Sequence, residues 1–142
     1  MSLMDLKILV ADDDPGAREL ICAILNAEGW PSPTTVEDGE VALEQIGDGH
    51  WDILVTDLDM PRMRGDELVV QALEIDPDLS IVVTTGDGTV GNAVDLIKKG
   101  ATDFIPKPYD VDDFLASMER AKTRAFGIHE VKGMRQTVEA RS

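Results

Sequence analysis

Lys7-Ile8-Leu9-Val10-Ala11-Asp12-Asp13-Asp14-Pro15 is a short apolar run that stops abruptly on three carboxylates. The same design returns further along the chain. Asp52-Ile53-Leu54-Val55-Thr56 ends on Asp57, Ser80-Ile81-Val82-Val83-Thr84 ends on Thr85-Gly86, and Asp103-Phe104-Ile105-Pro106 ends on Lys107-Pro108. Short apolar runs bounded by turn formers read as buried strands of a parallel sheet. Strands of such a sheet all open their carboxyl ends onto one edge, where ligands bind. A carboxylate pair, a lone carboxylate, a hydroxyl and an amine therefore converge on that edge.

Helical patterns fill the intervals. The first helix opens at Pro15, which suits a first turn, and places Ala17, Leu20, Ile21, Ile24 and Leu25 on one face before Gly29. Cys22 reads as a small core residue within that face. The second strand, over 31–36, carries two prolines and so belongs at an edge. A second helix starts at Asp38-Gly39 with Val41, Ala42 and Ile46. A third carries Leu68, Ala72 and Ile75 and stops at Pro77. A fourth carries Val90, Ala93, Val94 and Ile97 and stops at Gly100. A fifth carries Val111, Phe114, Leu115, Met118 and Ala121 and ends near Ala125. Five strand–helix units with right-handed crossovers give an α/β fold with one parallel sheet and helices on both faces.

The 142 residues suffice for one domain, and an apolar fraction of 43% is ordinary for a globular chain. No apolar run reaches the roughly 18–20 residues of a membrane span, and no secretory signal is apparent. A single cysteine cannot form an internal disulfide, which suits a reducing cytoplasm. Met1-Ser2-Leu3 reads as an added leader ahead of Met4, residues 4–125 as the folded domain, and 126–142 as a tail. Ile128, Val131 and Val138 give that tail weak helical spacing, so it either extends the last helix or begins a linker to an output region. Residues 1–118 hold 7 Lys+Arg against 25 Asp+Glu, whereas 119–142 hold 6 against 3. The acidic part repels nucleic acid and anionic membranes. The tail lacks the aromatic interleaving and dense basic patch of a nucleic-acid binder.

Asp12, Asp13 and Asp57 crowd one cleft and repel one another unless a cation intervenes. Mg²⁺ answers this, since it is hard, octahedral and commonly held by one or two carboxylates with water and phosphate oxygens. Taken alone, Asp12, Asp13 and Asp14 read equally well as caps of the first helix that favour its dipole, and Asp14 is expected to serve so. Asp57 is the candidate nucleophile, because a carboxylate can attack a phosphoryl group and form an aspartyl phosphate. Lys107, fixed by an apolar strand and a following proline, can supply an ammonium to the phosphate. The Lys107-Pro108 bond is of the one type for which cis is cheap. Thr85 can donate to a phosphoryl oxygen, while strand alternation turns Thr84 the other way. Gly86-Asp87-Gly88 makes the next loop mobile, and Phe104 is a half-buried ring able to swing with Thr85.

Taken together, Asp12-Asp13, Asp57-Leu58-Asp59-Met60-Pro61, Thr85-Gly86, Gly100-Ala101, and Phe104 with Lys107-Pro108 resemble the receiver domain of two-component response regulators over about residues 5–123. The resemblance implies a flavodoxin-like (βα)5 fold with strand order 2-1-3-4-5. It implies that Asp57 is phosphorylated from a phosphohistidine on a sensor histidine kinase or histidine phosphotransfer protein. Mg²⁺ would be held by Asp13, Asp57 and the main-chain carbonyl of Asp59, with Asp12 acting through water. Lys107 would pair with the phosphate. Thr85 and Phe104 would shift together and change the surface of helix four, strand five and helix five, a surface also implied for a homodimer. Such a chain signals rather than turning over a substrate.

Asp59 and Asp87 add carboxylates where the family pattern commonly has none, so phosphoryl lifetime is expected to depend on both. Two other readings compete. Asp57-Leu58-Asp59 is also similar to the aspartate motif of haloacid-dehalogenase-type phosphatases, but Met60-Pro61 follows it and the acidic pair precedes it, against their pattern. An unphosphorylated docking module would not need Asp12, Asp13, Asp57, Thr85 and Lys107 together.

Overall fold

The computed structural model describes residues 1–87 and 89–141, with no side-chain description for Val90 or 135–141. Gly88 of the expected mobile loop, the Val90 side chain of the fourth helical face and the Val138 side chain of the tail lie outside the described residues.

Five parallel strands form one sheet: β1 (Ile8–Ala11), β2 (Thr34–Val36), β3 (Ile53–Asp57), β4 (Ser80–Thr85) and β5 (Asp103–Pro106). Their order is β2-β1-β3-β4-β5, as expected. The helices between and after them are α1 (Pro15–Ala27), α2 (Gly39–Asp48), α3 (Gly65–Ile75), α4 (Val90–Lys99) and α5 (Val111–Arg141). A short 3-10 turn, Leu3–Asp5, precedes β1.

Alternation along the strands sorts the core into two layers. Leu9, Ala11, Leu54, Ile81 and Val83 face one way and pack with Ala42 and Ile46 of α2, Leu68 and Ala72 of α3, and Leu96 of α4. Ile8, Val10, Ile53, Val55, Val82 and Ile105 face the other way and pack with Ile21 and Leu25 of α1 and Phe114, Met118 and Ala121 of α5. The strands are buried on both faces, which is why they read as unbroken apolar runs. β2 is reduced to three residues at the edge, because Pro31 and Pro33 cannot donate to a ladder.

Local signals end the helices as their chemistry demands. Asp14 caps α1, its side chain accepting from the Gly16 N–H, and Pro15 occupies the first turn. Gly100 closes α4 in the left-handed region at φ 113, where a side chain would also strike Leu73.

Several helical faces differ from expectation. Leu20 of α1, Ile75 of α3, Val94 and Ile97 of α4, and Val111 of α5 are exposed, and Cys22 is only half-buried. α4 packs against β5 and α3 at the sheet margin, so its buried side is carried by Leu96, about a third of a turn from Ile97. α5 also runs past Ala125 without a break to Arg141, about 46 Å at 1.5 Å per residue. The basic residues beyond 118 explain part of this. Arg120 pairs with Asp103, and Arg124 donates to the Asp78 carbonyl (2.8 Å) and Ser80 Oγ (2.9 Å). Lys132 lies 2.6 Å from an Asp78 carboxylate oxygen. The charge reversal thus binds the last helix to the acidic body. Among the described residues no helix is long and apolar enough to cross a membrane.

If α4 is seated through Leu96, then Leu96→Ala costs about 2–5 kcal/mol in urea unfolding. Ile97→Ala at the neighbouring exposed position changes stability by no more than about 0.5 kcal/mol.

Candidate functional site

β1 and β3 are adjacent and in register, with Ala11 opposite Thr56, so the residues following each strand emerge side by side. Asp12, Asp13 and Asp57 bring one carboxylate oxygen each within 4.8 Å of one another. Asp12 and Asp57 are buried, at 1% and 7% exposure, while Asp13 is open to solvent. Two strands away, β5 delivers Lys107, whose Nζ lies 3.4 Å from both Asp12 Oδ2 and Asp57 Oδ1. Lys107 is positioned by its own N–H, which donates to the Thr85 carbonyl at 2.6 Å, and its bond to Pro108 is cis.

Other groups brace this arrangement. Asp12 accepts from the Asp14 N–H at 2.9 Å, which draws the acidic turn tight, and Arg18 Nη1 donates to the Asp12 carbonyl at 2.6 Å. Thr56 Oγ1 donates to the Asp57 carbonyl at 3.0 Å, and the Asp59 N–H faces Asp57 Oδ1 at 3.4 Å. Gly65 comes so close to the Asp57 carbonyl that a Cβ would collide with it. Tyr109 follows Pro108 and stacks on the buried ring of Phe114, centroids 5.4 Å apart, which ties the Lys107 segment to α5.

Burial pushes the Asp57 carboxyl above the ordinary aspartate range, and although the Lys107 ammonium counters it, the Asp12 charge adds to the rise. Burial opposes the charge on Lys107 too, but Asp12 and Asp57 outweigh it and hold that ammonium above the usual lysine value. Burial likewise raises the Tyr109 phenol. The site is thus a carboxylate-rich cleft that favours added positive charge. Its three hard oxygen donors could hold a divalent cation.

The remaining expected residues lie around this centre. Thr85 ends β4 fully buried, and its Oγ1 accepts from the Asp87 N–H at 3.0 Å. Thr84 is the cross-strand neighbour of Asp57 in the β3–β4 register. Phe104 is half-buried against the layer that contains Leu96. The Asp59 side chain points to solvent and to Arg64 Nη1, 3.3 Å away. Asp87 is exposed. Sequence reasoning missed Arg18, Gly65 and Tyr109. Only Tyr109 carried a signal, as an aromatic directly behind Lys107-Pro108.

Comparison with known proteins agrees with this architecture. The response regulator receiver domain family matches residues 8–119. The chemotaxis protein CheY of Listeria monocytogenes serovar 1/2a is 34% identical over 116 residues, covering 82% of this chain and 98% of that protein. The response regulator MprA of Mycobacterium bovis is 37% identical over 115 residues, covering 81% of this chain but only 50% of that protein. Among solved structures, the beryllofluoride-activated NtrC4 receiver domain dimer superposes with a TM-score of 0.78 at 34% identity, covering 84% of this chain and 98% of that one.

Because the Asp57 carboxyl is raised in the fold, its ionisation disfavours folding. That penalty is absent below the unfolded aspartate value and complete above the raised folded value. Asp57→Asn should therefore raise the urea midpoint of the metal-free protein at pH 7, with the gain shrinking as pH falls through the carboxylate range. An equal gain at both ends of that range would contradict the assignment.

Proposed function

This chain belongs to the response regulator receiver domain family of two-component signalling, and from that membership we propose that Asp57 accepts a phosphoryl group from a phosphohistidine. The donor would be a sensor histidine kinase or a histidine phosphotransfer protein. The observation that carries the reading is Lys107 Nζ at 3.4 Å from both Asp12 and Asp57, above a cluster of three carboxylates.

An oxygen of the Asp57 carboxylate attacks phosphorus and forms an acyl phosphate. The phosphorus–nitrogen bond of the donor breaks, and its electron pair leaves on the imidazole, which retains a proton. Catalysis of such a transfer is mainly positioning and charge stabilisation. The β3 end fixes the nucleophile through the Thr56 hydroxyl and the close approach of Gly65. Lys107 supplies an ammonium to the incoming oxygens. Mg²⁺ suits the donor set, held by Asp13, Asp57 and the Asp59 carbonyl with Asp12 through water, and would neutralise charge on the phosphoryl oxygens.

A bound phosphoryl adds charge and acceptor oxygens, which favour one of two pre-existing states. Thr85, buried one strand from Asp57, would turn toward the phosphate, and the half-buried Phe104 would follow. The face of α4, β5 and α5 would then change. Exposed Val94, Ile97 and Val111 give that face an apolar character suited to a second copy, and the similar NtrC4 receiver domain is a dimer. The same reading places the protein in the cytoplasm, as a signalling domain rather than a turnover enzyme.

With Mg²⁺ and acetyl phosphate, the intact mass of the parent should rise by one phosphoryl group, and that of Asp57→Asn should not. No adduct on the parent, or the same adduct on both, would refute Asp57 as acceptor. A separate expectation concerns lifetime. Asp59, facing solvent and Arg64, and Asp87, next to Thr85, can each influence the hydrolytic water. Asp59→Asn and Asp87→Ala should therefore change the half-life of the phosphorylated protein severalfold, and unchanged decay in both would remove them from this role.

A further inference from the structure

Residues 58–65 join the nucleophile strand to α3, and their backbone is held at two places. At the root, the Leu58 N–H donates to the Thr84 carbonyl and the Gly65 N–H to the Leu58 carbonyl, each at 2.8 Å. At the tip, the Met63 N–H donates to the Pro61 carbonyl at 2.8 Å across Arg62, whose φ is 67°. A three-residue turn with positive φ at its centre is rare and strained, the more so for a long L side chain. Glycine would adopt it freely. Among the described residues Arg62 is the one non-glycine in this region of conformational space.

The guanidinium of Arg62 accounts for the residue. Its Nη1 lies 3.1 Å from Asp38 Oδ2. Asp38 is buried at 6% exposure and uses its other oxygen to accept from the Val41 N–H at 2.9 Å, capping α2. One carboxylate thus fastens the tip of the loop to the first turn of a second helix. The neighbouring Gly39 seals the contact, since a Cβ there would lie 2.6 Å from the Met63 carbonyl oxygen. Between the pinned root and the pinned tip sits Asp59.

We propose that Arg62 and Asp38 act as a latch that positions the Asp59 main-chain carbonyl toward the cation cluster of Asp12, Asp13 and Asp57. The inference rests on the reading of that cluster as a Mg²⁺ site. Arg62 is a positioning residue, because its side chain points away to α2. Its ion pair is largely solvent-exposed on the arginine side and contributes little attraction by itself. Its effect is selective: without the guanidinium, the tip relaxes toward negative φ and the carbonyl two residues upstream of the turn's start loses its fixed direction. Outer partners of this kind commonly set metal affinity without touching the metal.

The test is calorimetric titration of the full chain with Mg²⁺, set beside urea unfolding in chelator, for the parent, Arg62→Ala, Arg62→Lys and Asp38→Asn. Asp38→Asn keeps an oxygen for the α2 cap while removing the charge, so it remains folded if Arg62→Ala does not. Arg62→Ala and Asp38→Asn should bind Mg²⁺ roughly threefold to tenfold more weakly. Arg62→Lys should recover most of the loss. Unchanged affinity in both weakened variants overturns the latch, as does a loss that lysine fails to restore or that merely follows metal-free stability. A parent that does not take up Mg²⁺ at all is a different failure, since it removes the metal site and the latch with it.

Discussion

Three carboxylates held together in a half-buried cleft are the constraint from which the rest of the site follows. Such a cluster repels itself, and the repulsion grows as water is excluded. The fold accepts that cost by using the strongest positioning device it has, the ends of adjacent parallel strands. β1 and β3 bring the acids together, and β5 brings an ammonium that faces both Asp12 and Asp57. Several bracing contacts fall on the backbone of these residues, beside the Asp14 and Asp59 N–H groups that face their carboxylate oxygens. Arg18 takes the Asp12 carbonyl, Thr56 takes the Asp57 carbonyl, and Gly65 packs against it. The backbone contacts fix the acids in place without using their carboxylate oxygens, which also face Asp14, Asp59 and Lys107.

Sheet and site were legible in the sequence for one shared reason. Strands buried on both faces write themselves as continuous apolar runs, and the residue that follows each run marks the ligand edge. Asp12, Asp13, Asp57 and Lys107 are each first or second after such a run. Helical faces were less legible where a helix touches the sheet only at its margin. α4 offers two overlapping apolar registers, Val94 with Ile97 and Ala93 with Leu96, and spacing alone does not separate them. Leu20 and Cys22 fail similarly on α1, where only the Ile21, Ile24 and Leu25 side meets the core. The loop after Asp57 was opaque for another reason. Nothing in Met60-Pro61-Arg62-Met63 announces a positive φ at an arginine, because the residue that compensates for it, Asp38, is remote in the chain.

The uneven charge of the chain also acquires a structural meaning. Beyond residue 118, Arg120, Arg124, Lys122 and Lys132 all lie on α5. Arg120 grips Asp103 at the start of β5, and Arg124 and Lys132 grip the turn before β4. Lys122 covers the ring of Trp30 at 5.6 Å. These pairs hold the last helix against the sheet beneath the same strands whose far ends form the site.

The placement of the indoles has an optical consequence. Trp30 precedes β2 and Trp51 precedes β3, so both lie at the amino edge of the sheet, opposite Asp57. Trp51 is tied to the Gln45 carbonyl at 2.9 Å and Trp30 is buried beneath Lys122. The phenol beside Lys107 is that of Tyr109, the one tyrosine of the chain. Indole emission from this protein therefore describes the floor of the sheet and its grip on α5, on the side away from the acidic cleft.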